Sequence, residues 1–214
     1  MRNELIGIIA EGKDDQDVIK NILRAFGFDG KTEVRYIRPS LSYDATALSN
    51  QQTIGTLQGV KNSCVQRTDF DRAFIISGIN YMVIQMDTAE IENQDFEFKR
   101  PPKTKNLNYA SELRGLCIDK INEWLQNNYE DQLFYAITIE ETEAWLLTIF
   151  EKSDSTKSAN PKQKLFHDFR EHISGKSYDV ISKPFSKLKD LKYFAKNNSS
   201  LKKFVEQLEQ KLNT

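Results

Sequence analysis

Acidic residues stand at the ends of apolar runs at three places in this chain. Glu11 follows Leu5 to Ala10, Asp87 follows Tyr81 to Met86, and Glu140, Glu141 and Glu143 follow Leu133 to Ile139. Carboxylates are hard oxygen ligands and proton carriers, so gathered in one place they would hold a divalent cation or move a proton. Two ionised carboxylates about 4 Å apart repel by ~4 kcal/mol at an effective dielectric near 20, so such a gathering needs a cation, a proton or a basic neighbour. Mg2+ is the natural cation, because it takes oxygen ligands, keeps waters and neutralises charge developing on a phosphate; Mn2+ can substitute. Thiolate and imidazole chemistry is not on offer. Two cysteines, Cys64 and Cys117, and two histidines, His167 and His172, are too few for a disulfide framework or a zinc site. The histidines are five apart and share no helical face.

A plainer use competes for several acids. Asp14, Asp15, Asp17 and Glu140 suit the first turn of a helix, where a negative charge contributes about 0.3–1 kcal/mol, and they are assigned to that role. Glu11 and Asp87 sit directly at strand ends in hydrophobic surroundings and are assigned to chemistry, while Glu143 suits either role. Trp124 and Trp145 recur with apolar neighbours and read as core.

The elements that must position these acids follow from periodicity. Leu5 to Ala10 is apolar without alternation, the mark of a strand covered on both faces. Val18, Ile19, Ile22, Leu23 and Phe26 then space a helix over Asp14 to Gly27, closed by the glycine. A second strand covers Glu33 to Ile37 and stops at Arg38-Pro39-Ser40. Residues 40–72 are polar and weakly patterned, with Thr53 to Val65 the better helix candidate, and Phe74-Ile75-Ile76 can end a helix. Tyr81 to Met86 is a buried strand ending at Asp87, and residues 91–108, with Pro101-Pro102, form an exposed loop beyond it. A helix over Tyr109 to Tyr129, a strand over Leu133 to Ile139, a helix opened by Glu140-Glu141-Thr142-Glu143, and helices near 161–173, 183–196 and 199–212 complete the chain. Strand and helix alternate, which is the order of an α/β fold with a mostly parallel, Rossmann-like sheet flanked by helices. The carboxyl ends of parallel strands share one edge, where ligands bind, so acids 76 and more positions apart can meet there.

Length and composition agree with one compact unit. The chain has 214 residues, 29% charged, 39% hydrophobic and 11% aromatic, which excludes a disordered, collagen-like or fibrous protein. No stretch approaches the roughly 20 apolar residues of a membrane span, and Met1-Arg2-Asn3-Glu4 does not open a signal peptide, so a cytoplasmic protein without a membrane partner is expected. The net charge of −1 hides a division: from residue 152 onward there are 14 Lys and Arg against 7 Asp and Glu. We therefore divide the chain into an α/β core, 1–152, and a basic helical C-terminal extension packed on it, 153–214. Its Lys187, Lys189, Lys192, Lys196, Lys202 and Lys203, with Lys13, are candidates for contacts to nucleic-acid phosphates. A solvated lysine-rich surface explains the same residues.

Three short blocks resemble TOPRIM domains, found in topoisomerases, primases and overcoming-lysogenization-defect (OLD) nucleases. Ile8-Ile9-Ala10-Glu11-Gly12-Lys13-Asp14-Asp15 is similar to the family's opening strand and Glu-Gly turn, and Val83 to Glu90 to its strand ending in Asp-x-Asp. Ile137 to Leu147, with Glu143-Ala144-Trp145-Leu146-Leu147, resembles the signature of small stand-alone RloB-like bacterial proteins, often associated with mobile-element or phage-defence loci. Asn160-Pro161-Lys162 and Ser200 to Phe204 are similar to their C-terminal helices. The resemblance implies a Mg2+-dependent nuclease or phosphodiester-transfer enzyme acting on nucleic acid, DNA more than RNA, with a partner ATPase or defence-system subunit. It also implies Glu11 as general acid/base or metal-positioning residue, Asp87 as a magnesium ligand and Glu143 as an additional acid at the metal. Ala89 stands where the motif has its second aspartate, so Glu90 or Glu143 must substitute if two metals bind. That departure keeps open a catalytically degenerate module that binds nucleic acid or a partner, and a structural protein whose acids only cap helices.

Overall fold

The computed structural model describes residues 4–39, 56–92, 98–103 and 108–212. Four strands, β1 (Ile6–Ile9), β2 (Val34–Arg38), β3 (Tyr81–Asp87) and β4 (Leu133–Thr138), form one sheet. Its order is β2-β1-β3-β4, with every pairing parallel. The continuous apolar runs have the expected physical cause: β1 and β4 are buried at every position, because helices cover both faces. From β1 the chain pairs β2 on one side and β3 on the other. The gap between the carboxyl ends of β1 and β3 is therefore a topological switch point, the place where open parallel sheets hold ligands.

Helix α1 (Lys13–Ala25) follows β1 and ends at Gly27, whose φ of 89° suits a glycine; the N–H of Phe28 closes the helix on the Leu23 carbonyl. Its Val18, Ile19, Ile22 and Leu23 join Ile6 and Ile8 in one apolar cluster. To the same cluster belong Trp145, Leu146 and Leu147 of α5 (Glu143–Phe150), Leu165 of α6 (Pro161–Asp168) and Ile173 of α7 (Arg170–Ile173). So do Ile181 of α8 (Tyr178–Ile181), Leu191 of α9 (Leu188–Ala195), and Leu201, Phe204 and Leu208 of α10 (Ser199–Leu212). The apolar side chains of the C-terminal segment thus lie in the same core as β1. A second cluster on the other face holds α2 (Leu57–Gln66), α3 (Thr68–Asp71) and α4 (Tyr109–Trp124) against Ile9, Ile84 and Ile137. Trp124 and Trp145 are both buried, as their spacing predicts.

Several boundaries differ from the sequence expectation, each for a local reason. The helix expected over Tyr109 to Tyr129 stops at Trp124, because Gln126, Asn127 and Tyr129 adopt positive φ. The helix expected from Glu140 begins at Glu143, because Glu140 has φ 66°. Phe74 to Ile76 lie in a π-helical turn, Arg72–Ile76. The segment 161–173 is two helices meeting at Phe169, and 183–196 is a 3-10 turn, Lys183–Ser186, followed by α9. Part of the Thr53 to Val65 expectation and half of the 91–108 loop lie outside the described residues. No helix of the described residues is long and apolar enough to cross a membrane.

Helix α10 also closes an edge of the sheet. The Gln207 side-chain carbonyl accepts the Tyr135 N–H at 3.0 Å, and the Lys211 ammonium donates to the carbonyls of Glu130 and Leu133. The first half of the outer edge of β4 is thereby occupied by side chains of α10.

Candidate acidic site at the carboxyl edge of the sheet

The switch point carries charge. Glu11 leaves β1 and Asp87 ends β3; the Asp87 N–H donates to Glu11 Oε1 at 2.7 Å, so residues 76 apart are in direct contact. This contact exists because β1 stops before β3 does, leaving the last N–H of β3 to a side chain. Asp87 Oδ1 accepts from Gln85 Nε2 at 2.7 Å, from the Thr142 hydroxyl at 3.1 Å and from the Thr138 hydroxyl. Gln85 and Asp87 face the same side of β3 because strand side chains alternate. Thr138 ends β4, and Thr142 is the residue before α5.

Two further acids join from helix starts. Asp15, in the first turn of α1, accepts the Gly12 N–H and lies within reach of the Thr142 hydroxyl, whose single proton it shares with Asp87, and it feels the charges of Glu143 and Asp14. Glu143, the first residue of α5, is 5% exposed; Tyr178 on α8 donates to its Oε1 at 2.5 Å, and the Lys162 ammonium stands 3.7 Å from the same oxygen.

Burial is the dominant force on these carboxyls. It lifts Glu11 from its ordinary 4.5 to about 8, helped by the charges of Asp15 and Glu90 and opposed by the bond from Asp87. It lifts Asp15 from 3.8 to about 6, opposed by Thr142 and helped by Glu143. Asp87 is held well above the usual carboxylate range by burial, then by Asp15 and Glu11, against the Thr138 hydroxyl. Asp14 and Glu141, at the rim, are also raised, chiefly by burial. The Tyr178 hydroxyl is driven far up by burial and by Glu143, so it remains a donor.

Two opposing designs meet at Asp87. Three donors aimed at one oxygen favour the ionised carboxylate, whereas burial among like charges favours the protonated one. A bound cation removes the conflict by giving the negative charge a partner. The positive end of α1 does not make this an anion site, because Asp14 and Asp15 already occupy its first turn.

The fit to Mg2+ is one of donor chemistry. All the candidate ligands are carboxylate oxygens, and among the described residues no donor meets Asp87 Oδ2. No set of three acidic, histidine or cysteine side chains among the described residues converges on one point able to hold a metal ion. Mg2+ is commonly bound by one or two carboxylates with its remaining positions filled by water and phosphate, so the donor set suits it better than an ion that requires a full protein cage.

Of the residues the sequence singles out, Glu11, Asp87 and Glu143 are brought together here. Glu90 is exposed in the turn after β3, acting on Glu11 through its charge. Lys13 is exposed at the start of α1. Lys187, Lys189 and Lys196 are exposed on and beside α9, while Lys192 pairs with Glu209 and Lys202 and Lys203 pair with Glu206. Asp17 and Glu140 are not in the helix first turns expected for them, since only Asp14 and Asp15 occupy the first turn of α1 and α5 begins at Glu143; instead Asp17 bonds Lys20 and Tyr36, and Glu140 bonds Arg100 and Lys103. Asp15 does more than the helix-start role assigned to it. Gln85, Thr138, Thr142 and Tyr178 were not legible as site residues, although a glutamine inside Met82 to Met86 is a polar interruption two residues before Asp87, on the same strand face.

Compared with known proteins, the chain matches no family model, no curated protein and no solved structure.

Proposed function

We propose that this acidic site belongs to a Mg2+-dependent nuclease, a phosphodiester hydrolase of the TOPRIM type. The observation that carries the reading is the meeting of Glu11, Asp15, Asp87 and Glu143 at the switch point of a parallel sheet, with three donors aimed at Asp87. Asp87 would supply the carboxylate oxygen that holds a hydrated Mg2+, with Asp15 and Glu143 adding negative charge beside it, and the ion would supply charge neutralisation at the phosphate. Glu11, with a pKa near 8, holds a proton at neutral pH and can pass it to a leaving oxygen. Tyr178 fixes one oxygen of Glu143, and Gln85 and Thr138 fix one oxygen of Asp87, so the acids are held before substrate arrives. Nucleic-acid backbone would be met by the exposed ammonium groups of Lys13, Lys187, Lys189 and Lys196, with binding that weakens steeply as salt rises.

Ala89 in place of a second motif aspartate, and the lack of a converged three-acid set among the described residues, favour a second reading: a non-catalytic module that binds nucleic acid or a partner subunit. Incubation of the wild type with supercoiled plasmid, linear DNA, single-stranded DNA and RNA, with Mg2+ or Mn2+, separates the two. Cleavage lost in Glu11→Gln and in Asp87→Asn supports the nuclease. Binding without cleavage supports the module, and equal cleavage by wild type and both variants rejects this site as the cause.

A further inference from the structure

Gln85 is fully buried inside an otherwise apolar strand, and each polar atom of its amide is engaged. Its Oε1 accepts the Glu11 N–H at 3.0 Å; its Nε2 donates to Asp87 Oδ1 at 2.7 Å and to Thr142 Oγ1 at 3.2 Å. Together with the Asp87 N–H to Glu11 Oε1 bond, these contacts close a ring. Glu11 gives its N–H to Gln85, Gln85 gives its NH2 to the Asp87 carboxylate, and Asp87 gives its N–H to the Glu11 carboxylate. Chemistry fixes the orientation of the amide. Turned over, it would set a donor against the Glu11 N–H and an acceptor against the Asp87 oxygen.

We infer that Gln85 is the positioning residue of the site: it locks Glu11 and Asp87 across the switch point and commits one oxygen of each inside the ring, leaving Glu11 Oε2 and Asp87 Oδ2 for a ligand. A neutral amide suits this post. A carboxylate would add another like charge beside Asp87, and an apolar side chain would leave the Glu11 N–H without its partner. The inference rests on the acidic site as the metal-binding centre for its consequence, and on the ring alone for its geometry, so the two are tested separately.

The ring is read in metal-free protein by amide hydrogen exchange followed by NMR. Glu11 and Asp87 N–H are protected in the wild type. In Gln85→Met, which keeps the side-chain length and removes the amide, both exchange about tenfold faster or more. Loss at Asp87 is the informative part, because its N–H touches Glu11 and not Gln85; a merely local role for Gln85 would loosen Glu11 alone. Gln85→Asn, whose amide is too short to span the ring, moves both amides in the same direction and serves if the methionine variant does not fold. Calorimetric titration with Mn2+ alone then reads the consequence: affinity falls about 10- to 100-fold in the Gln85 variants. Asn21→Leu is the matched control. It removes another fully buried amide, bonded to Asp179 and Ser182 away from the acids, so it lowers stability yet leaves Mn2+ affinity within about twofold.

Unchanged exchange at Asp87 in both Gln85 variants overturns the ring. Equal loss of Mn2+ affinity in Asn21→Leu overturns the positioning role. If the wild type binds no Mn2+ while the Gln85 variants still free both amides, the ring stands and the metal-dependent reading of the site falls.

Discussion

Two sets of acids in this protein solve burial in opposite ways. Asp17, 9% exposed, meets the Lys20 ammonium at 2.9 Å and the Tyr36 hydroxyl at 2.6 Å; Glu140, 8% exposed, meets Arg100 at 3.2 Å and Lys103 at 3.1 Å. Each carries its countercharge with it. Glu11, Asp15 and Asp87 sit at the switch point among one another, held by hydroxyls, an amide and backbone N–H groups, with pKa values pushed up. The first set behaves as finished structure. In the second, no ammonium or guanidinium among the described residues meets Glu11, Asp15 or Asp87, and burial is offset by holding protons instead, which separates acids braced by a countercharge from acids whose charge is suppressed.

The largest effects reverse sign between the two sets. Glu11→Gln is expected to lower cleavage by at least about 10²-fold, as loss of a positioned acid/base does, while raising metal-free stability at pH 8 by on the order of 3 kcal/mol, because it removes a charge that burial disfavours. Asp17→Asn is expected to leave cleavage within about threefold and to lower stability by about 1 kcal/mol, because it removes one of the two carboxylates at 2.9 Å from Lys20 while Asp179 keeps the ammonium paired. Plasmid nicking rates and chemical denaturation check both. Two variants that shift stability in the same direction would erase the distinction.

The pH dependence of stability follows next in size. Unfolded, Glu11 and Asp15 titrate near 4.5 and 3.8; folded, they hold their protons up to about 8 and 6. Between those limits the folded chain binds more protons than the unfolded one, so stability falls as pH rises. The stabilising contribution is fully present below about pH 4 and lost in steps through pH 6 and pH 8. Thermal melts of the metal-free protein should therefore give a lower Tm at pH 8 than at pH 5, by about 5 °C or more, with Mn2+ narrowing the gap. In Glu11→Gln the fall should flatten above pH 6.

How much of this was legible follows the range of the interactions. Strands announced themselves because burial on both faces demands unbroken apolar runs such as Leu133 to Thr138, and parallel order followed from the helices between them. Glu11 and Asp87 were legible because each ends such a run. Asp15 was assigned to the start of α1, and the structure keeps that role through its bond from Gly12 while adding a second one across the sheet edge. No local pattern distinguishes the two. Tyr178 was hidden for the same reason: its partner Glu143 lies 35 residues away, and only the packing of α8 onto α1 brings the pair together. The basic C-terminal count suggested a phosphate surface, yet charge balance along a sequence does not say which lysines face glutamates, as Lys192, Lys202 and Lys203 do.

Smaller substitutions test whether the acids act as one coupled group. Tyr178→Phe removes one donor from Glu143 and should cost about 1 kcal/mol of stability with a several-fold weaker Mn2+ affinity. Gly12→Ala is subtler. The backbone there, at φ −140° and ψ 165°, accepts any residue, so the effect comes from space: the new Cβ would lie 3.0 Å from Asp15 Oδ2. The carboxylate, at the end of a rotatable side chain, can turn aside, which takes charge away from Glu11. Alanine before α1 is a poorer cap than glycine, by about 0.5 kcal/mol, but the relief at Glu11 offsets part of that, so the net change in stability is expected to be under about 0.5 kcal/mol. The sharper readout is carboxyl titration followed by 13C NMR. Glu11 should titrate below about 8 in the variant, because the Asp15 charge that helps to raise it has moved away. An unmoved Glu11 would mean that Asp15 does not act on it, and that the acids at the switch point are neighbours without being a group.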